Sequence, residues 1–386
     1  MKIAVVLGTR PEAIKLAAVV RRFLEIPNEF GIRVLVTAQH RDLLDQTLAA
    51  FSIAPDHDLN CMRPGQTLAE STARMIAALD PVLAAEKPDL VMVQGDTTTT
   101  FCGALAAFYR GVPVAHVEAG LRTGDVSQPF PEEMNRVLTA RLAALHFAPT
   151  VAAAANLERE GVPASRIFVT GNTGIDAVLE TRDGLCAGRL QSSALPALDP
   201  AKKLILVTAH RRESFGDGFE GICQALARLA GREDVQIVYP VHPNPSVRRA
   251  VLKICETNPR LMFTEPLDYV SFVDLMSRAH VLLTDSGGIQ EEGPSLGKPV
   301  LVMRDKTERP EAIEAGTARL TGTDPDRIAA EIALLLDDPA EYARRSRIHN
   351  PYGDGRASAR IRDVIRSYDS ATCTVGSRAQ AVSRSP

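Results

Sequence analysis

Three carboxylates sit where an alternating strand-and-helix chain keeps its chemistry. Asp96 closes the run Leu90-Val-Met-Val-Gln-Gly-Asp, and Glu118 closes Val112-Pro-Val-Ala-His-Val-Glu. Glu132 lies in Pro129-Phe-Pro-Glu-Glu-Met-Asn-Arg. The first two end apolar strands, where a solvated face does not usually place a charge. Any one of them alone is as readily a helix cap or an arginine partner. Three directed at one cleft read as a general acid and base, once burial and neighbours separate their pKa values.

Positive charge is placed in the same way. His210-Arg211-Arg212-Glu213-Ser214 follows directly on the apolar run Lys203-Leu-Ile-Leu-Val-Thr. Together with Arg10, Lys15 and Arg309, these groups suffice to neutralise a diphosphate without a metal. His242, in Tyr239-Pro-Val-His-Pro-Asn-Pro, ends another strand. The run Val281-Leu-Leu-Thr-Asp-Ser-Gly-Gly-Ile-Gln-Glu-Glu is a strand, a turn at Ser286, Gly287 and Gly288, and a helix start. Glycines there let a ligand approach the backbone, and the helix start offers unpaired N–H groups to an anion. Arg304, Lys306 and Arg309 lie just past the next strand, so this edge reads as a phosphate-binding rim. The competing reading is a plain tight turn beside solvated arginines.

The elements that position these groups alternate along the whole chain. Short, nearly continuous apolar runs are followed by helical periods, which predicts parallel sheets covered on both faces. With 386 residues, 45% apolar and 24% charged, the chain is expected to form two globular domains. A net charge of −3 argues against nucleic acid and acidic membrane surfaces as partners. No apolar stretch reaches spanning length, and the first residues do not resemble a signal peptide. Six cysteines without Cys-x-x-Cys spacing read as reduced cytosolic thiols, and no metal or cofactor is expected.

The second half of the chain echoes the first. Lys203-Leu-Ile-Leu-Val-Thr-Ala-His-Arg-Arg-Glu matches the pattern of Lys2-Ile-Ala-Val-Val-Leu-Gly-Thr-Arg-Pro-Glu. Asp96 through Arg110-Gly-Val-Pro-Val is likewise echoed by Asp285 through Leu296-Gly-Lys-Pro-Val. The expectation is two Rossmann-like doubly wound domains, residues 1–172 and 200–355, facing a central cleft. A last amphipathic helix at 356–369 is expected to pack back on the first domain, and 371–386 reads as a disordered tail.

Six blocks in order carry a family resemblance: Gly8-Thr-Arg-Pro-Glu-Ala-Ile-Lys, Gln94-Gly-Asp-Thr-Thr-Thr-Thr, His116-Val-Glu-Ala-Gly-Leu-Arg-Thr-Gly, Thr208-Ala-His-Arg-Arg-Glu-Ser-Phe-Gly, Thr284-Asp-Ser-Gly-Gly-Ile-Gln-Glu-Glu and Arg304-Asp-Lys-Thr-Glu-Arg-Pro-Glu. Together they resemble the non-hydrolysing UDP-N-acetylglucosamine 2-epimerase family, from the first residues to about Tyr368. The resemblance implies a GT-B-like pair of Rossmann domains, usually a homodimer. It also implies interconversion of UDP-GlcNAc and UDP-ManNAc in the cytoplasm for bacterial surface polysaccharide. By the same resemblance Asp96, Glu118, Glu132 and His210 match catalytic positions. Arg10, Lys15, Phe272, Ser286, Gly287, Gly288, Glu292 and Arg309 match nucleotide-sugar contacts. Gln39, Arg211 and His242 match part of a second, activating UDP-GlcNAc site, from which Gly65 and Asp42 depart.

Other readings share the architecture. A glycosyltransferase would use the same glycine turn but needs an acceptor, and a hydrolysing epimerase would release UDP and free ManNAc. A nucleotide-sugar sensor would have no use for three carboxylates. Residues 371–386 lack the apolar periodicity that offsets ordering entropy. Deleting them should leave the melting temperature and turnover nearly unchanged, as a thermal melt and a rate assay of the truncated chain would report.

Overall fold

The computed structural model describes residues 1–37, 41–193, 195–209, 217–241 and 260–368. Gln39, His210, Arg211, His242 and the segment 371–386 lie outside the described residues. The chain divides into two compact units, residues 1–177 with 352 onward, and residues 178–351.

In the first unit, seven strands form one sheet: β1 (Lys2–Leu7), β2 (Gly31–Val36), β3 (His57–Asp58), β4 (Leu90–Gln94), β5 (Val114–Val117), β6 (Leu145–Ala148) and β7 (Ile167–Val169). Their order is β3-β2-β1-β4-β5-β6-β7, with every described pairing parallel. The second unit holds β8 (Lys203–Thr208), β9 (Val235–Pro240), β10 (Leu261–Thr264), β11 (Val281–Thr284), β12 (Val300–Val302) and β13 (Ala318–Leu320). Its order is β10-β9-β8-β11-β12-β13, again all parallel. Both are the doubly wound order with a reversal beside the first strand. The echo in the sequence is therefore an echo in topology: β1 and β8 hold the same place, as do β4 and β11.

Continuous apolar runs form these strands because both faces are covered. Ile3 to Val6 and Leu90 to Val93 are completely buried, as are Ile205, Val207 and Leu283 in the second sheet. No helix among the described residues is long and apolar enough to cross a membrane.

The helix start after β1 is closed by its own side chains. Thr9 and Glu12 form a reciprocal capping box at the helix Arg10–Leu24, and Glu12 is buried. Its Oε2 accepts from the N–H groups of Gly8 (2.9 Å) and Thr9 (2.7 Å), while Oε1 accepts from the hydroxyls of Thr97 (2.6 Å) and Thr100 (3.1 Å). Burial pushes its carboxyl above the usual range against those donors. Glu12 thus ties the turn after β1 to the turn after β4. Gly8 is required by crowding: a Cβ there would lie 2.2 Å from Thr37 Oγ1 and 2.3 Å from Thr99 Oγ1.

The C-terminal helix Ala357–Ser367 belongs to the first unit and packs on the helix Arg10–Leu24. No side chain of its own caps it. Buried Asp176 does so instead, accepting from the N–H groups of Ala357 (3.1 Å) and Ser358 (2.8 Å). Removing that acceptor leaves two buried donors unpaired. Asp176→Ala should therefore cost about 1–2 kcal/mol and speed amide hydrogen exchange in this helix by about 5- to 30-fold. Asp176→Asn, which keeps one acceptor, should lose less.

Candidate active site

Parallel pairing puts the carboxyl ends of β1, β4 and β5 on one edge of the first sheet, and the reversal of strand order lies between β1 and β4. Ligands of such sheets bind there. Arg10 and Lys15 come from the helix after β1, Asp96 from the turn after β4, and Glu118 from the end of β5. Gly95 takes a left-handed φ of +75°, which turns the chain sharply into Asp96.

Glu118 is also left-handed, with φ +63°. A non-glycine residue held there carries about 1–3 kcal/mol of strain and persists only when its surroundings fix it. Those surroundings are explicit. Lys15 Nζ and Asn172 Nδ2 (3.0 Å) donate to Oε1, and Gln94 Nε2 donates to Oε2. The Glu118 side chain keeps only 7% of its exposure.

Asp96 has a different setting. Its Oδ2 is paired with Arg136, and its backbone carbonyl accepts from Asn135 Nδ2 (3.0 Å). Burial pushes its carboxyl above the usual carboxylate range. Arg136 opposes that shift, the nearby Glu118 charge reinforces it, and Lys15 opposes it. On β5, buried His116 binds the Gly95 carbonyl through Nε2 (2.7 Å). Burial lowers its pKa to about 4, so the ring is neutral and Nε2 is the donor.

Glu132 opens the helix Glu132–Leu142 and is half-buried. Its neighbour Glu133 is the one tied into the fold: its Oε1 accepts from the N–H groups of Thr123 (3.1 Å) and Gly124 (3.2 Å), and Arg136 lies 3.2 Å from its Oε2.

In the second unit, the turn after β11 leads into the helix Gly287–Ser295. Ser286 is its N-cap but makes no side-chain cap hydrogen bond, so the start is not closed by its own side chain. That differs from the helix after β1. Neither Gly287 nor Gly288 has a positive φ. A Cβ would meet nothing closer than 3.6 Å at Gly287 or 3.9 Å at Gly288, so nothing in the described fold demands glycine there. Gly293, in the same helix, is required, since its Cβ would lie 2.6 Å from Leu282.

Arg309 stands over this turn, its guanidinium carbon 3.6 Å from the Gly287 Cβ position, and is paired with buried Glu291. Arg304 is held by Glu308 through two contacts of 2.7 and 3.1 Å. The rim is thus less positive than the sequence suggests. Glu292 and Phe272 are half-buried, the first on this helix and the second on the helix Tyr269–Arg278. No group of three or more metal-ligating side chains occurs among the described residues.

A family model described as UDP-N-acetylglucosamine 2-epimerase matches residues 23–366. The chain belongs to the UDP-N-acetylglucosamine 2-epimerase family. It is 58% identical over 373 residues to the UDP-N-acetylglucosamine 2-epimerase of Salmonella typhimurium, covering 95% of this chain and 99% of that one. The crystal structure of the Neisseria meningitidis UDP-GlcNAc 2-epimerase bound to UDP-GlcNAc is similar with a TM-score of 0.87 and 46% identity, covering 95% and 99% of the two chains. A glycosyltransferase of kitacinnamycin, 14% identical with a TM-score of 0.60 over 94% and 98% of the chains, shares the fold alone. The family resemblance read from the motif blocks therefore holds.

For this epimerase-family chain, the structure brings Lys15 and Glu118 into contact and sets Asp96 beside them. Ser286, Gly287, Gly288 and Arg309 are gathered in the other unit. Gln94, Asn172 and Arg136 were not singled out from sequence as site residues, although they hold the two carboxylates. Gln94 reads as the last residue of a strand and Asn172 as a turn residue, so only their position beside chemistry-bearing loops could have marked them. Because the fold has room at the glycine turn, Gly287→Ala and Gly288→Ala should leave the melting temperature unchanged or raise stability by up to about 1 kcal/mol. Gly8→Ala and Gly293→Ala should lower it, and thermal melts of the four variants would separate the two classes.

Proposed function

We propose that this chain interconverts UDP-GlcNAc and UDP-ManNAc by inverting carbon 2 of the sugar. The observation that carries the reading is the pairing of Asp96 and Glu118 at adjacent strand ends, in unlike settings, within a chain of this family. Two unlike carboxylates suit a reaction in which a proton leaves one face of carbon 2 and returns to the other. UDP is a good leaving group. Anti elimination breaks the bond from carbon 1 to the diphosphate oxygen as a base takes the proton from carbon 2, giving a glucal and bound UDP. Readdition of UDP to carbon 1, with protonation of carbon 2 from the opposite face, completes the inversion without water as a reactant.

In this reading the uncapped helix start at Ser286, Gly287 and Gly288, with Arg309, receives the diphosphate. Glu292 accepts from ribose hydroxyls and Phe272 walls the uracil. Arg10 and Lys15 add positive charge. Glu132 and His210 complete the catalytic set, and Gln39, Arg211 and His242 form a candidate activator site. These roles follow the family resemblance. A cytoplasmic homodimer serving surface polysaccharide synthesis belongs to the same proposal.

Incubation with UDP-GlcNAc alone in deuterated water, followed by proton NMR, tests it. UDP-ManNAc should accumulate with deuterium at carbon 2 and without free ManNAc. Asp96→Asn should lose about 10²–10⁴-fold in kcat, since general acid–base catalysis supplies a factor of that size, and Glu118→Gln, which removes the neighbouring charge, should lower kcat as well. Retention of the original proton through many turnovers would refute elimination. Release of UDP with free ManNAc would establish the hydrolysing reaction, and inertness without an acceptor would favour a transferase.

A further inference from the structure

We infer that Gln94 and Asn172 are positioning residues for Glu118, holding its carboxylate as a fixed acceptor so that proton traffic on this strand edge falls to Asp96. Its consequence for turnover rests on the epimerase reading above; the hydrogen-bond argument does not.

Three side-chain donors meet one carboxylate. Lys15 and Asn172 donate to Oε1 and Gln94 to Oε2. The amide of Asn172 has only one possible orientation, because its Oδ1 accepts from the N–H of Gly174 at 2.8 Å. Its Nδ2 must therefore face Glu118. Gln94 is fixed by the same logic: an ionised carboxylate only accepts, so the NH₂ end must point at it. The Gln94 backbone carbonyl is occupied as well, by the Thr100 hydroxyl at 2.6 Å. A proton placed on Glu118 would set an O–H against a donor and break one of these bonds. Donors to the charged form favour it.

Asp96 is not held in this way. Its carboxylate has the Arg136 guanidinium on one oxygen, and the Glu118 charge lies near it. With Glu118 fixed as an anion, Asp96 is the carboxylate of the pair that can gain and release a proton. Carboxylates whose surroundings push them apart take separate roles.

The test is Asn172→Asp, which keeps the acceptor for Gly174 but replaces the Glu118 donor with a like charge. Gln94→Glu makes the isosteric change on the other oxygen and serves if the first variant does not fold. Each should lower kcat by about tenfold or more while KM stays within about threefold. The acid limb of the kcat/KM profile should move up by about one pH unit or more. Asn172→Gln, which retains an amide donor, should recover some of the loss.

A second measurement needs no turnover. Carbon-13 NMR of protein labelled at the glutamate carboxyl carbon follows the Glu118 titration, with the signal assigned by its absence in Glu118→Gln. The midpoint should rise in both acidic variants. If the wild-type chain shows no epimerisation yet the midpoint rises, the epimerase reading fails and the positioning inference stands. An unmoved Glu118 titration in a folded variant, or equal losses in kcat and KM with an unmoved acid limb, would overturn the inference.

Discussion

The first unit is organised around one ionic contact, that of the Glu118 carboxylate with Lys15 and its two amide neighbours. The four groups come from four separate segments: the helix after β1, the end of β4, the end of β5 and the loop after β7. A buried carboxylate without such partners would be strongly disfavoured. The loops must therefore meet at this point for the strand ends to close. The same contact fixes a backbone geometry that a glutamate would not adopt unaided. Stability and candidate chemistry thus make the same demand on the chain here, which is why the strained residue is also the charged one.

Glu12 has the complementary role at the neighbouring strand ends. It gathers the turns after β1 and β4 with four hydrogen bonds, so the helix start after β1 is satisfied from within. In the second unit, Ser286 at the helix start after β11 makes no side-chain cap hydrogen bond, and the two glycines that follow it have space around them. Among the described residues, the edge of the first sheet carries Asp96 and Glu118, and that of the second carries the helix start at Ser286 beside Arg309.

Much of this was legible in the sequence. Apolar runs ending in Asp96, Glu118 and Ser286 showed both the parallel strands and the polar residues at their ends, and the two echoes of pattern anticipated the matching strand orders. Side chains whose function is to hold other side chains were not legible. Gln94 and Asn172 look like an ordinary strand end and turn, because their importance lies in contacts 24 and 54 residues away along the chain. Arg304 and Arg309 misled in the opposite direction. As residue types they announce positive charge, but Glu308 and Glu291 offset much of it. Pairing of that kind is settled by rotamers and burial, which composition does not record.

The capping of the last helix by Asp176 has a consequence for synthesis. The N–H groups that satisfy its carboxylate belong to residues 181 and 182 positions further along the chain. At about 5–20 residues per second the ribosome needs roughly 10 to 40 seconds to make that stretch. During this interval the second unit can emerge whole, since residues 178–351 are contiguous. The first unit, although begun earlier, still lacks the helix that covers Arg10–Leu24 and satisfies Asp176. The half of the molecule translated first is therefore completed last, and a nascent chain would present the unfinished face of its N-terminal unit to the cell's chaperones.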